Sequence, residues 1–198
     1  GYSGSTSHKL SAYLPLNTAP PGPGAIEPRR LPSPEIGLVT PMASLGNATY
    51  HSARLRVEKR FSRGLSFISA YTFSKAIDDA YSRAQTGQGS LPQRADRLDL
   101  EKSLSDYDVR HIFRLGLTYD LPSPAFGRRF IGGWQVAGLV NYLSGNPFSI
   151  LSRTDANDGS KGRRANLVSG QNWFLPESAR SVGRWFNTAA FVDPAPFT

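Results

Sequence analysis

The alternation of apolar and polar residues between Tyr50 and Asp79 predicts two β-strands joined by a tight turn. From residue 53 to 61 the odd positions are mostly apolar and the even positions are all charged, as in a strand with two different faces. From residue 65 onward, apolar residues again take the odd positions. The link Ser62-Arg63-Gly64 predicts a three-residue hairpin loop, because Gly64 readily adopts the left-handed conformation that such loops require last.

The length of this loop predicts the register of the hairpin. Both strands then have one apolar face and one polar face. This pattern fits a soluble sheet with its apolar face on a core, and it also fits a membrane barrel with its apolar face on lipid. The predicted pairs are Phe61 with Leu65, Leu55 with Tyr71, Ala53 with Phe73, Arg54 with Thr72, and Arg56 with Ala70.

Two further segments alternate in the same way, and the four predicted strands cover about 48–61, 65–77, 109–121 and 134–144. The first thirteen residues are compatible with the end of another strand. Long loops are expected at about 14–46, 78–108 and 152–198, and the first of these contains eight of the fifteen prolines. Ser178 is a candidate N-cap for a short helix inside the last loop.

The lengths of the connections discriminate between the two settings. Residues 62–64 and 122–133 form short or moderate links, whereas the three links on the other side are long. Long structureless loops are uncommon in compact soluble domains. Outer-membrane barrels have short periplasmic turns, long extracellular loops and alternating strands. The sequence therefore predicts an all-β fold, an antiparallel up-and-down meander that is part of a large transmembrane β-barrel in the outer membrane.

In such a barrel the polar face of each strand lines the lumen and the apolar face contacts lipid. Four consecutive polar-face positions are ionised, and a dry core would reject them. They are expected to hold water and dock a plug, or alternatively to line a path for an anionic ligand. The predicted lumen-facing charges are Arg54, Arg56, Glu58, Arg60, Arg110 and Arg114.

Aromatic residues cluster near both ends of the predicted strands. Tyr and Trp favour membrane interfaces because one edge is apolar and the other can hydrogen-bond, although strand propensity also enriches aromatics. The predicted girdle residues are Phe61, Phe67, Tyr71, Phe73, Phe113, Tyr119, Trp134 and Tyr142.

Composition narrows the chemistry further. Cysteine is absent from the 198 residues, which excludes disulfides and thiolate catalysis. The net charge is +8, but the basic residues are scattered and form no block of five. A soluble basic β-domain that binds nucleic acid through the face from Arg54 to Arg60 remains the alternative function, although it leaves the long loops unexplained.

Two small clusters are candidates for metal or acid-base chemistry. Asp106 and Asp108 lie near His111, but strand alternation puts the histidine on the opposite side, so we expect a loop-to-strand junction in which the acids pair with Arg110 or another lumen arginine. Residues 155–160 superficially resemble a calcium loop, yet their glycine is fifth rather than sixth, so a turn is expected and a weak calcium site is the alternative. We predict no catalytic residue, no metal site, no cofactor and no enzyme activity.

Several motifs resemble one family. The matching segments are NATYHSARLRVEKRFSRGLSF at Asn47–Phe67, AYTFSKAIDD at Ala70–Asp79, LSDYDVRHIF at Leu104–Phe113, GGWQVAG at Gly132–Gly138, SGNPFS at Ser144–Ser149 and RWFNTAAF at Arg184–Phe191. They are similar to stretches of TonB-dependent outer-membrane receptors, most of all the Oar-like branch. The resemblance covers nearly the whole chain.

That resemblance implies a barrel that closes with 22 strands around a plug in the type case and moves a ligand with force from an inner-membrane complex. Its implied partners are outer-membrane lipid, the rest of the barrel with its plug, and the TonB complex through an N-terminal part; no nucleic acid is expected. These residues contain no plug or energy-coupling box. Four or five strands cannot close a barrel, so we expect a C-terminal-side segment of a longer protein.

Overall fold

The computed structural model describes residues 1–30, 33–79, 91–122, 133–153, 156–159 and 163–196. A six-stranded sheet dominates it, with strand order β1-β2-β3-β5-β6 and a short β4 on β3. β2 pairs with β3, β3 with β5 and β5 with β6, each antiparallel, which is the predicted up-and-down meander. The strands are β1 (Tyr2–Tyr13), β2 (Met42–Ser62), β3 (Leu65–Asp78), β4 (Ser103–Leu104), β5 (His111–Asp120), β6 (Gln135–Leu143), β7 (Asn166–Leu167) and β8 (Phe191–Val192).

The chain divides into two units. The first, the sheet unit, comprises Gly1–His8, Asn47–Asp78 and Leu104–Pro147, and the second, the loop unit, comprises Lys9–Gly46, Asp79–Ser103 and Phe148–Thr198. None of the helices among the described residues has the length and apolarity needed to cross a membrane.

The predicted register of the β2–β3 hairpin is confirmed over its length and is wrong at its tip. Four predicted pairs are present, from Ala53 with Phe73 to Arg56 with Ala70. At the tip Ser62 pairs with Leu65, because a bulge between Lys59 and Ser62 absorbs Phe61. Arg63 and Gly64 form the turn, with φ of 52° and 79°. Two positive φ values are the signature of a two-residue type I′ turn, whose twist matches that of the strands.

The other predicted strands overlap observed ones, with shifted ends. β2 begins earlier than expected, at Met42, and the segment before it contains β1 and a bridge between Leu16 and Val39. β5 begins at His111, two residues later than expected. The expected helix after Ser178 is wrong: a single 3-10 turn covers Glu177–Ala179 and places Ser178 inside it.

Few apolar side chains are buried in the described residues. The buried hydrophobic residues are few, and most of them have small side chains: Ala12, Ala19, Ala156, Leu175 and Ala190. Large apolar residues of the sheet, such as Leu55, Val57 and Val140, are exposed. An exposed apolar face of this extent marks a surface that contacts lipid or another protein.

In the loop unit, side chains bonded to main-chain carbonyls replace regular structure. Arg29 donates to the carbonyls of Ala25, Pro20 and Asn157. Asn157 in turn donates to the carbonyls of Gly22 and Gly24, at 2.9 and 2.7 Å. These bonds fix the proline-rich segment to residues 156–159.

Candidate functional site

One face of the sheet unit is mostly apolar in the rows that join β2, β3, β5 and β6. One row runs Leu55, Tyr71, Phe113 and Tyr142 across four strands, and the next runs Val57, Ser69, Leu115 and Val140. Directly opposed residues project on the same side of a sheet. The alternation seen in each separate strand therefore combines into one continuous surface, which we call the apolar face.

The opposite side, the charged face, carries Arg54, Arg56 and Glu58 on β2 and Arg114 on β5. Arg56 and Glu58 form an ion pair of 2.9 Å, and both side chains are about half exposed, at 61% and 48%. Arg56 and Arg114 flank Ala70 in one row. Arg60 lies in the bulge, where the register does not fix its direction.

The charged face also contains an apolar strip that the sequence pattern did not isolate. Leu139 lies in the row of Glu58, Ile68 and Gly116. A Cβ added to Gly116 would come within 3.3 Å of a Leu139 methyl and 3.5 Å of an Ile68 methyl. Gly116 thus provides the space that the Leu139 side chain occupies, although Leu139 remains 85% exposed.

Asp108 performs the junction role expected of the acidic cluster. Its side chain is 4% exposed, accepts the Ala76 N–H at 2.7 Å and pairs with Arg110 at 3.3 Å. The Asp108 carboxylate thereby takes the place of a main-chain carbonyl as the acceptor for Ala76, just before β5 begins. Arg110 precedes the strand, its carbonyl accepts the Ser74 N–H at 3.0 Å, and its guanidinium lies 5.9 Å above the Phe73 ring. Its predicted direction toward the lumen stays a prediction.

The aromatic residues of the apolar face form two levels. Tyr71, Phe113 and Tyr142 share one row far from the Arg63-Gly64 turn, which we call the upper level, and Tyr119 and Trp134 lie near the end of the sheet that carries this turn. Trp134 and Tyr142 are eight residues apart, or about 26 Å along a strand and ~20 Å along the normal at a ~40° tilt. The apolar band of outer-membrane barrels is about 25 Å tall. Phe61 is displaced by the bulge and has no position in either row.

Two tyrosine–histidine pairs at the upper level were not predicted. The Tyr71 hydroxyl bonds His111 Nδ1 at 2.7 Å, and the Tyr2 hydroxyl bonds His51 Nδ1 at 2.6 Å. In both pairs the rings are stacked with centroids 6.1 Å apart. His111 therefore contacts the apolar face, on the side away from the charged face, as strand alternation predicted.

The comparison with protein families decides the class. Residues 1–198 match the family model described as outer membrane beta barrel domain. The chain belongs to this family. Comparisons with curated proteins and with solved structures gave no match.

Family membership confirms the all-β barrel fold and the outer-membrane localisation. It is incompatible with the soluble β-domain that the sequence left as an alternative. The direction of each face, toward lipid or toward the lumen, stays a prediction. The alternation rule for outer-membrane barrels assigns the apolar face to lipid and the charged face to the lumen.

The motifs of the barrel chain that follow β6 have structural roles. Ser144 Oγ accepts the His111 N–H at 3.0 Å, and Asn146 Nδ2 donates to the Asp106 carbonyl at 2.8 Å. The SGNP stretch thus continues the pairing with the segment around Asp108. In the loop unit, Phe186 contacts both Phe148 and Phe191 with centroids 5.6 Å apart.

Ion pairs of the loop unit differ in burial. Glu101 has a side chain that is 5% exposed, accepts the Gln93 N–H at 3.0 Å and pairs with Arg164. Arg94 and Asp96 form an exposed pair at 2.6 Å, and hydrogen bonding from Arg94 lowers the pKa of Asp96. Two hydrogen bonds lower the pKa of Asp193: the larger effect comes from the Arg153 main-chain N–H, and the smaller one from the Ser152 hydroxyl.

Metal sites are not apparent in the part of the chain that the structure describes, where no group of three His, Cys, Asp or Glu residues could hold an ion. Asp155 and Ser160 of the calcium-like loop lie outside the described residues. Asn157, between them, has a φ of 54°, and its amide nitrogen donates to the proline-rich segment. A calcium site in residues 155–160 stays untested.

Proposed function

We propose that the chain is a wall segment of a TonB-dependent outer-membrane receptor of the Oar-like branch, with no catalysis of its own. The observation that carries the proposal is the continuous apolar face opposite a face with Arg54, Arg56, Glu58 and Arg114. A membrane barrel with a hydrated interior requires this combination. The six sequence motifs that resemble these receptors support the assignment to the Oar-like branch.

In this function the two faces have different partners. The apolar face contacts outer-membrane lipid, and the charged face holds lumen water and docks the plug contributed by other residues of the receptor. Energy coupling belongs to the plug-bearing N-terminal part, which binds the TonB complex. The long loops are displayed at the cell surface, where they meet the ligand.

Two measurements on the full-length protein test the proposal. Outer-membrane fractions should contain a band whose electrophoretic migration changes on boiling, and the solubilised protein should retain the periplasmic domain of TonB in a pull-down. A heat-modifiable barrel that fails to bind TonB would contradict the receptor branch and leave the barrel assignment standing. A deletion of the plug-bearing part is the matched control, because it should abolish the pull-down without removing the heat-modifiable band.

A further inference from the structure

Three arginines lie close together on the charged face of the sheet unit. Arg56 on β2 is opposite Ala70 on β3, and Ala70 is opposite Arg114 on β5, so one row holds two arginines with a methyl group between them. Arg54 lies in the next row of the same face, opposite Thr72. Strand geometry separates the Cα atoms of Arg54 and Arg56 by about 7 Å and those of Arg56 and Arg114 by about 10 Å. We call these three residues the arginine cluster, because their long side chains can all reach one group held above Ala70.

The arginine cluster has more positive charge than its surroundings compensate. Glu58 is the one carboxylate in the described rows of the charged face from Arg54 to Glu58, and it pairs with Arg56 at 2.9 Å. Arg54 and Arg114 are exposed, and within the described part of the chain their side chains form no ion pair or hydrogen bond. Two positive charges therefore lack a described counter-ion, and both are accessible from the charged side of the sheet.

Small side chains leave room for a ligand beside the arginine cluster. Ala70 fills little of the space between the two arginines of its row, and Thr72 adds a hydroxyl in the row above. Below Ala70, the residues Ile68, Gly116 and Leu139 belong to the next row and contribute to the lining of a depression of about 680 Å³. Binding sites for small ligands usually measure ~300–1,000 Å³. The sheet thus places a cationic cluster next to a partly apolar depression.

The number of uncompensated charges in the cluster favours phosphate over carboxylate. A phosphate monoester carries a charge of about −1.5 to −2 at pH 7 and has three acceptor oxygens. It can therefore balance Arg54 and Arg114 and still accept a hydrogen bond from Arg56. A carboxylate has one negative charge and two oxygens. Guanidinium groups also bind phosphate oxygens through paired, charge-assisted hydrogen bonds, so a phosphate group above Ala70 satisfies the cluster more completely.

We propose that the arginine cluster binds the phosphate group of a small phosphate monoester, while the body of the ligand lies over Ile68 and Leu139. This inference deepens the proposed function, because it gives the receptor lumen a class of ligand, and it rests on the assignment of the charged face to the lumen. Binding itself needs no energy coupling. Carboxylates of the plug are the competing occupant, and the intact receptor, which contains the plug, decides between the two.

Isothermal titration calorimetry of the full-length receptor in neutral detergent tests the proposal with phenyl phosphate and phenyl sulfate. The two probes have nearly the same shape, but the sulfate carries only one negative charge, so phenyl phosphate should bind at least about fivefold more tightly. Arg54→Gln and Arg114→Gln should each weaken phenyl phosphate by about tenfold or more, the loss expected for hydrogen bonds to a charged group. Arg114→Lys should retain part of the affinity. Arg63→Gln removes the same charge at the hairpin turn of the same sheet unit, and this matched control should change nothing.

Four results would overturn the proposal: no binding of phenyl phosphate to the intact receptor, equal affinity for the two probes, affinity that survives both Gln variants of the cluster, or an equal loss in Arg63→Gln. The first result would mean that plug carboxylates hold the arginines.

Heat-modified migration checks that each variant folds. If Arg114→Gln fails this check, Ala70→Leu decides, because it fills the space between Arg56 and Arg114 without changing the charge and should also weaken phenyl phosphate. A receptor that binds phenyl phosphate but not TonB contradicts the proposed function alone. A receptor that binds TonB but not phenyl phosphate contradicts this inference alone.

Discussion

Replacing Val140 or its neighbour Leu139 with arginine tests the direction of the two faces. Val140 projects from the apolar face and Leu139 from the charged face, although both are exposed in the isolated sheet, at 47% and 85%. Their chain positions differ by one residue, so depth in the membrane is nearly constant. Because both residues lie on the same strand at nearly the same depth, a difference in stability between the two variants reports which face contacts lipid.

The expected magnitude follows from the position of Val140. It lies two residues from Tyr142 and six from Trp134, inside the band between the aromatic levels, where arginine on the lipid face costs about 2–4 kcal/mol. Val140→Arg should therefore lower the folding equilibrium constant by roughly 30- to 1,000-fold. Leu139→Arg should cost less than ~1 kcal/mol, because water in the lumen solvates the new charge.

Urea unfolding of the full-length protein in lipid vesicles, followed by heat-modified migration, measures both values. Val140→Gln controls for side-chain length without charge and should fall between the two arginine variants. Val57→Arg repeats the test on another strand of the same row. Equal costs for the two arginine variants, or a larger cost for Leu139→Arg, would refute the assignment of the faces.

Three further predictions follow from the structure. Gly64→Ala should destabilise the hairpin by about 1–3 kcal/mol in urea, because φ is 79° and the new Cβ would lie 2.9 Å from a carbonyl oxygen; Gly145→Ala meets no atom within 4 Å and should be neutral. Glu101→Gln should cost about 2–4 kcal/mol and speed amide exchange in the loop unit, since it leaves Arg164 without its anion, whereas Asp96→Asn at an exposed pair should have no measurable effect; equal exchange in both variants would contradict this. Expressed without detergent the chain should aggregate through its apolar face and strand edges, and a monodisperse soluble monomer on size exclusion would count against a lipid-facing surface.

The sheet could be predicted from the sequence because successive side chains of a strand point to opposite faces, so apolar and polar residues alternate with a period of two. The pairs from Ala53 with Phe73 to Arg56 with Ala70 were predicted with a three-residue loop, and they are correct because the observed two-residue turn and its bulge together give the same register. The tip was mispredicted because a bulge adds one residue without altering composition. Arg63 at a positive φ gave no sequence signal, since non-glycine residues rarely adopt that conformation.

The loop unit could not be predicted because its contacts have no period. Arg29 and Asn157 bond main-chain carbonyls more than a hundred residues away, and a carbonyl is present at every position whatever the side chain. Composition identified the proline-rich segment but not its partner. The orphaned donor on Arg163 is likewise invisible until the fold shows that the atom is buried.

The charges of the chain follow the same division between the two units. On the sheet, Arg56 and Glu58 are exposed and pair weakly, which is sufficient in a hydrated lumen and would fail in a dry core. In the loop unit the buried Glu101 pairs with the partly exposed Arg164, and this pair is costly to break because it would leave the buried carboxylate without its cation. A wall that must stay wet and a loop assembly that must keep its shape without periodic structure need these two different uses of arginine.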